Sequence, residues 1–163
     1  MKIRLDSLTL LLLFLSFSFL TGCNQENEAC NADFYDLGAE GMQPDVEYLF
    51  NQPLEHKSYN VNLVIRYTNK CRLKSFPLNM EYYSFSGDSV EYEIRTIPIT
   101  HNMDSNKKDD FIILNKGNFG VYEQQVELLK NFEIGDGSYI TLSTPVNVAG
   151  LISLGLIYNR IQD

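Results

Sequence analysis

Tyr59 to Thr68 alternates with a period of two: Val61, Leu63, Ile65 and Tyr67 share one face, and Asn60, Asn62 and Arg66 the other. That is the pattern of a half-buried strand. Leu78 to Phe85 repeats it with Leu78, Met80 and Tyr82. The turn residues Ser86-Gly87-Asp88 then lead into Val90, Tyr92 and Ile94, which alternate with Glu91, Glu93 and Arg95, so this pair reads as a hairpin. Phe111 to Leu114 predicts a short apolar strand after a charged loop from His101 to Asp110, and Asn115 to Gly120 predicts a turn. Val121 to Phe132 carries helix-favouring Glu, Gln, Leu and Lys residues, yet it lies between strand candidates and predicts a strand. Gly135-Asp136-Gly137 turns into a strand over Ser138 to Thr144, Pro145 to Gly150 interrupts the ladder with room for one helical turn, and Leu151 to Arg160 closes the chain as a last strand.

Seven to eight short strands with hardly any helix predict an all-β fold, an antiparallel β-sandwich of jelly-roll or Ig-like type, whose two sheets bury apolar faces against each other. The ten tyrosines fall mostly at alternating strand positions, where core and cross-strand packing accounts for them better than a sugar-stacking platform.

The N-terminus has a different pattern. Met1-Lys2-Ile3-Arg4 is a basic head, Leu8 to Leu20 is largely apolar, and Leu20-Thr21-Gly22-Cys23 ends the run with small residues and a thiol. These are the parts of a secretory signal, and the apolar run is shorter than the roughly 20 residues that span a bilayer. Leu-Thr-Gly-Cys resembles the lipobox of bacterial lipoproteins, which implies that residues 1–22 are a signal peptide and that Cys23 becomes the acylated, palmitate-bearing first residue. Two or more acyl chains anchor a protein stably. Asn24 to Asp33 is too polar to bury much and suits a flexible tether. The expected organisation is lipidated cysteine and tether over 23–45, with folding beginning near Phe34 or later, and a sandwich domain over 46–163. The residues after Cys23 also resemble the signals that send some lipoproteins to the cell surface. Lipid anchoring in the cell envelope, at the outer membrane, is therefore expected, on either its periplasmic or its surface face.

The chain has 13 basic and 21 acidic side chains, a net charge of −8, and about −9 once Lys2, Arg4 and Asp6 leave with the signal. Such a surface is repelled by phosphate backbones and makes nucleic acid an unsuitable partner. Lys70, Arg72 and Lys74 nevertheless cluster, with Arg66 near in sequence; a solvated loop face explains them most simply, an anion or lipopolysaccharide contact being the alternative. Cys30 and Cys71 survive lipidation in a compartment that permits disulfides, so a bridge and two free thiols are both open. No metal or cofactor is expected, since two distant cysteines with only His56 and His101 lack ligand spacing. Gly-x-Ser-x-Gly, His-Glu-x-x-His and phosphate-loop motifs are absent. Asp36, Asp109 and Asp110 could enter a carboxylate pair but read better as solvated charges, so no catalytic residue is assigned and the chain is expected not to be an enzyme.

Asn62-Leu63-Val64-Ile65-Arg66-Tyr67-Thr68-Asn69 followed by Phe76-Pro77-Leu78-Asn79-Met80, then Asp88-Ser89-Val90-Glu91-Tyr92, Gly137-Ser138-Tyr139 and Ala149-Gly150-Leu151-Ile152-Ser153-Leu154-Gly155-Leu156 resemble, in order and spacing, the gliding-motility lipoprotein family GldH. The resemblance covers most of Tyr48 to Gln162. The sequence departs from the family in having no tryptophan and in placing Cys71 among basic residues. The resemblance implies a non-catalytic envelope lipoprotein of the gliding and type IX secretion machinery that works through protein–protein contacts. It also implies structural roles for Arg66, Pro77 and Asn79: an arginine pairing with a carboxylate, a proline fixing φ and an asparagine closing a turn. The rival reading is a surface glycan-binding sandwich.

Overall fold

A computed structural model describes residues 31–87, 89–101, 112–116 and 120–161, with the backbone alone over 112–116. The described residues form nine strands: β1 (Asn31–Asp36), β2 (Tyr48–Phe50), β3 (Ser58–Thr68), β4 (Ser75–Tyr83), β5 (Glu91–Pro98), β6 (Ile112–Lys116), β7 (Val121–Glu133), β8 (Tyr139–Ser143) and β9 (Leu151–Arg160). They form a five-stranded sheet, ordered β1-β9-β3-β7-β6, and a four-stranded sheet, ordered β2-β8-β4-β5, with every pairing antiparallel. With β6 set aside as an added partner of β7, these orders are those of a jelly roll, which decides between the two sandwich types expected.

The core lies between the sheets. Val61, Leu63, Ile65 and Tyr67 of β3, Phe76, Leu78 and Met80 of β4, Ile140 and Leu142 of β8, and Leu154, Leu156 and Tyr158 of β9 are buried there. Each set is one face of a period-two strand. β7 departs from that rule. Its register with β3 shifts between Tyr59 and Asn62, and the bulge lets the successive residues Leu128 and Leu129 both turn inward. Asn131 takes a φ of 51° beside the irregularity, and its N–H donates to Asn60 Oδ1 at 3.3 Å.

The sandwich of seven to eight strands stands as expected: apart from β6, its two sheets have four strands each. Two other expectations are corrected. Residues 31–45 do not belong to a tether: β1 pairs along β9 from Asn31 to Asp36, and Met42 is fully buried. Residues 145–150 contain no helical turn, but an isolated bridge between Val148 and Met42.

The two sides of the four-stranded sheet are built differently. On the β2 side, Tyr35 of β1 packs edge-on against Tyr48 and Phe50 at 5.1 Å each. Its hydroxyl donates to the Leu49 carbonyl, so the two sheets are closed by aromatic contact. On the β5 side the register sets Glu93 opposite Met80 and Arg95 opposite Leu78, turning the charged residues inward. Arg95 grips Glu93 with two bonds, at 2.6 and 3.1 Å, and also donates to the Glu127 carbonyl of β7 at 3.2 Å.

Candidate functional site

The inward turn of Glu93 and Arg95 forces Tyr92 and Ile94 outward, and each is 74% exposed. The cause is the register: Phe76 stands opposite Ile97, both are buried, and that anchor fixes which face every other β5 residue takes. The outer face of the four-stranded sheet therefore carries Tyr92 opposite Glu81, Ile94 opposite Asn79, and Thr141 and Ser143 opposite Glu81 and Asn79 in turn. A shallow depression of about 420 Å³ lies there, bordered by Glu47 and Glu93 as well. Tyr139 donates to Glu81 Oε1 at 2.7 Å; that bond, more than its slight burial, pushes the Tyr139 phenol up to about 12. β5 is the last strand of its sheet. Chemically the face offers an aromatic ring, an aliphatic side chain and carboxylate acceptors.

The residues expected to matter are dispersed. Arg66, on the outer face of the other sheet, bonds Glu123 directly across β3 and β7 at 2.7 Å, and its guanidinium lies 5.3 Å from the Phe34 ring centroid. Gly155 lies beneath that ring, so close that a Cβ there would collide with it. Pro77 sits in β4 beyond the reach of β8, where its carbonyl accepts from Thr144 Oγ1 at 2.7 Å. Its missing N–H falls on the side that has no ladder. Asn79 closes no turn, contrary to expectation. It is in the middle of β4, between Ile94 and Ser143, and borders the depression.

Cys23 and Cys30 lie outside the described residues, as do Asp88, Asp109 and Asp110. Cys71 is a free, fully buried thiol, and burial pushes its pKa up. Its backbone touches Gly150. Asp36 is exposed at the end of β1, accepting the Gly38 N–H at 2.9 Å. Among the described residues no group of His, Cys, Asp or Glu could hold a metal ion.

No family model matches the chain, and neither a curated protein nor a solved structure does.

The sequence missed the exposed β5 face because alternation defines two faces without naming the inner one. The signal that could have located it is Glu93 and Arg95 standing two apart with opposite charge, able to satisfy each other at a sheet rim.

Proposed function

We propose that this chain is a non-catalytic cell-envelope lipoprotein, anchored through Cys23 and serving gliding motility or the linked type IX secretion machinery by binding a basic segment of another envelope protein on the outer face of β5. The envelope address rests on Leu20-Thr21-Gly22-Cys23, and the machinery on the ordered motifs from Asn62 to Leu156. The observation that carries the docking reading is the 74% exposure of both Tyr92 and Ile94 on a strand whose charged residues face inward. Tyrosine supplies large contact area at low entropic cost and is enriched among interface anchors. Glu47 and Glu81 around the depression favour a partner rich in lysine or arginine.

Two kinds of variant test the reading in a deletion strain complemented with each. Cys23→Ser should abolish palmitate labelling; retained label would remove the anchoring assignment. Tyr92→Glu with Ile94→Glu should leave protein level and fold intact, since neither side chain packs in the core, yet lose secretion or motility as completely as the deletion. Full function in that double variant would overturn docking at β5.

One observation favours the glycan-binding reading: the Tyr92 ring lies beside Glu81, Asn79 and Thr141, the combination of aromatic face and hydroxyl acceptors that saccharides need. On that reading Tyr92→Phe retains function, because stacking survives, and Ile94→Glu has little effect. Polysaccharide binding to the wild-type chain, lost in Tyr92→Ala alone, would establish it.

A further inference from the structure

One segment runs against the acidic character of the whole chain. Lys70, Arg72 and Lys74 occupy the connection between β3 and β4, all exposed. Arg66, Arg95, Arg160 and Lys130 each reach a carboxylate, at 2.7, 2.6, 3.4 and 3.1 Å respectively. Lys70, Arg72 and Lys74 have no such ion pair among the described residues. Three like charges in one short connection repel one another, and a chain with 21 acidic side chains has ample means to neutralise them.

The connection is also braced. The Cys71 N–H donates to the Thr68 carbonyl at 3.0 Å, the Thr68 N–H to the Gly150 carbonyl at 2.9 Å, and the Ile99 N–H to the Lys74 carbonyl at 2.8 Å. Gly150, at a φ of +84°, lies so near that a Cβ on it would stand 2.5 Å from the Cys71 nitrogen. Cys71 itself is fully buried, so the middle of the connection is pinned while its cations point outward on either side.

Beside them is a cleft of about 400 Å³, lined by Asn69, Arg72, Leu73, Lys74, His101 and Tyr122. One wall is aromatic: the His101 and Tyr122 rings meet edge to face at 5.0 Å, and Tyr122 stacks on Tyr67 at 5.6 Å and 15°. Tyr67 is held in turn by its bond to the Thr100 carbonyl and by Gln124, whose amide donates to the Pro98 carbonyl at 2.7 Å. Cations at one side and an apolar, aromatic wall at the other suit an anion attached to an organic body.

We propose that this cleft binds a phosphate group carried on an organic moiety, with the Arg72 guanidinium and the Lys74 ammonium group on its oxygens, Lys70 adding positive charge from the same connection, and the Leu73–Tyr122 wall against its carrier. Arginine engages two phosphate oxygens at once and lysine serves as a point charge, so the set covers a phosphomonoester or diester without demanding one. The site lies on loops apart from the β5 face and stands or falls independently of it.

The test uses the full-length chain purified in detergent. Its probes are inorganic pyrophosphate, followed by calorimetry, and vesicles of phosphatidylglycerol in phosphatidylcholine, followed by flotation against phosphatidylcholine alone. Binding of pyrophosphate would identify free phosphate as sufficient, and selective binding of the phosphatidylglycerol vesicles would identify a lipid head group; either supports the site if Arg72→Ala with Lys74→Ala weakens it by about tenfold or more and added salt weakens it further. Lys57→Ala, which removes an exposed cation elsewhere, should leave binding unchanged. Should the double alanine variant lose its strand spectrum, Lys70→Gln with Lys74→Gln replaces it, since both side chains are exposed. Absence of binding to both probes at millimolar concentration, or equal binding by wild type and folded variant, would overturn the proposal.

Discussion

The two edges of the four-stranded sheet meet solvent in opposite ways. At β2 the edge is sealed: Tyr48 and Phe50 turn inward onto Tyr35, Asp33 takes the Asn51 backbone and side-chain N–H groups at 2.8 and 2.9 Å, and only Leu49 of the strand faces out. At β5 the rim is held by an ion pair, and the apolar residues are displaced onto the surface. Aromatic closure stabilises by burial, whereas a charged rim stabilises little and discourages indiscriminate strand pairing. The sealed edge thus serves stability, and the charged edge is the one at which we propose recognition.

The largest expected difference between them is in folding free energy. Phe50→Ala should cost about 3–5 kcal/mol in urea unfolding, whereas Ile94→Ala should stay within about 0.5 kcal/mol. A costly Ile94→Ala would mean that β5 packs more tightly than its exposure indicates and would collapse the distinction.

Smaller effects follow at the polar ties. Arg95→Ala removes the grip on Glu93 and on the β7 carbonyl; both side chains are about a third exposed, so screening limits the loss to about 1 kcal/mol, with faster amide exchange confined to β5. Tyr35→Phe, which deletes the bond to Leu49, should cost a similar amount, about 0.5–1.5 kcal/mol, with faster exchange at β2 instead. Exchange rising at both edges in either variant would show that they are coupled rather than separate.

On β9 of the five-stranded sheet Tyr158 is 1% exposed and its hydroxyl has no hydrogen-bond partner among the described residues. Burial pushes its phenol well above the usual range. Tyr158→Phe should accordingly be neutral or slightly stabilising in the same unfolding assay, and a loss near that of Tyr35→Phe would reveal a partner for the hydroxyl.

Alkaline pH gives a subtler contrast. Tyr67 is raised to about 12 mainly by burial and Tyr139 to about 12 mainly by its bond to Glu81, while unfolded tyrosines ionise near 10. Between about pH 10 and 12 the folded chain binds more protons than the unfolded chain, so stability falls as pH rises through that window, and these groups leave it unchanged below. Tyr139→Phe should make the decline shallower; an unaltered slope would separate Tyr139 from Glu81 in solution.

Much of the fold was legible because β3, β4, β8 and β9 combine strict alternation with two buried sheets, and strands of five or more residues display a period. β2, with three residues, cannot. β1 hides for another reason: its inward positions are Asn31, Asp33 and Tyr35, and two of the three are polar groups satisfied at a rim rather than apolar groups in a core. The outer face of β5 was misread for the mirror-image reason, since Tyr92 and Ile94 look like core until the Phe76–Ile97 anchor sets the register. The phosphate cleft was half legible. Lys70, Arg72 and Lys74 cluster in sequence, but the aromatic wall comes from Tyr122, which the β3–β7 pairing brings alongside, and His101, which follows β5 where it pairs with β4.

Photo-crosslinking in living cells tests the central assignment most directly. A photoreactive residue placed at Tyr92 or Ile94 should join the protein to a lysine- or arginine-rich segment of one envelope protein, identified by mass spectrometry of the joined peptide, while the same residue at Leu49, which is also exposed at 57%, should give no such product. Equal yields at Leu49 and at β5, or no protein adduct at Tyr92 and Ile94 in cells where the chain is functional, would contradict the assignment of recognition to the charged edge.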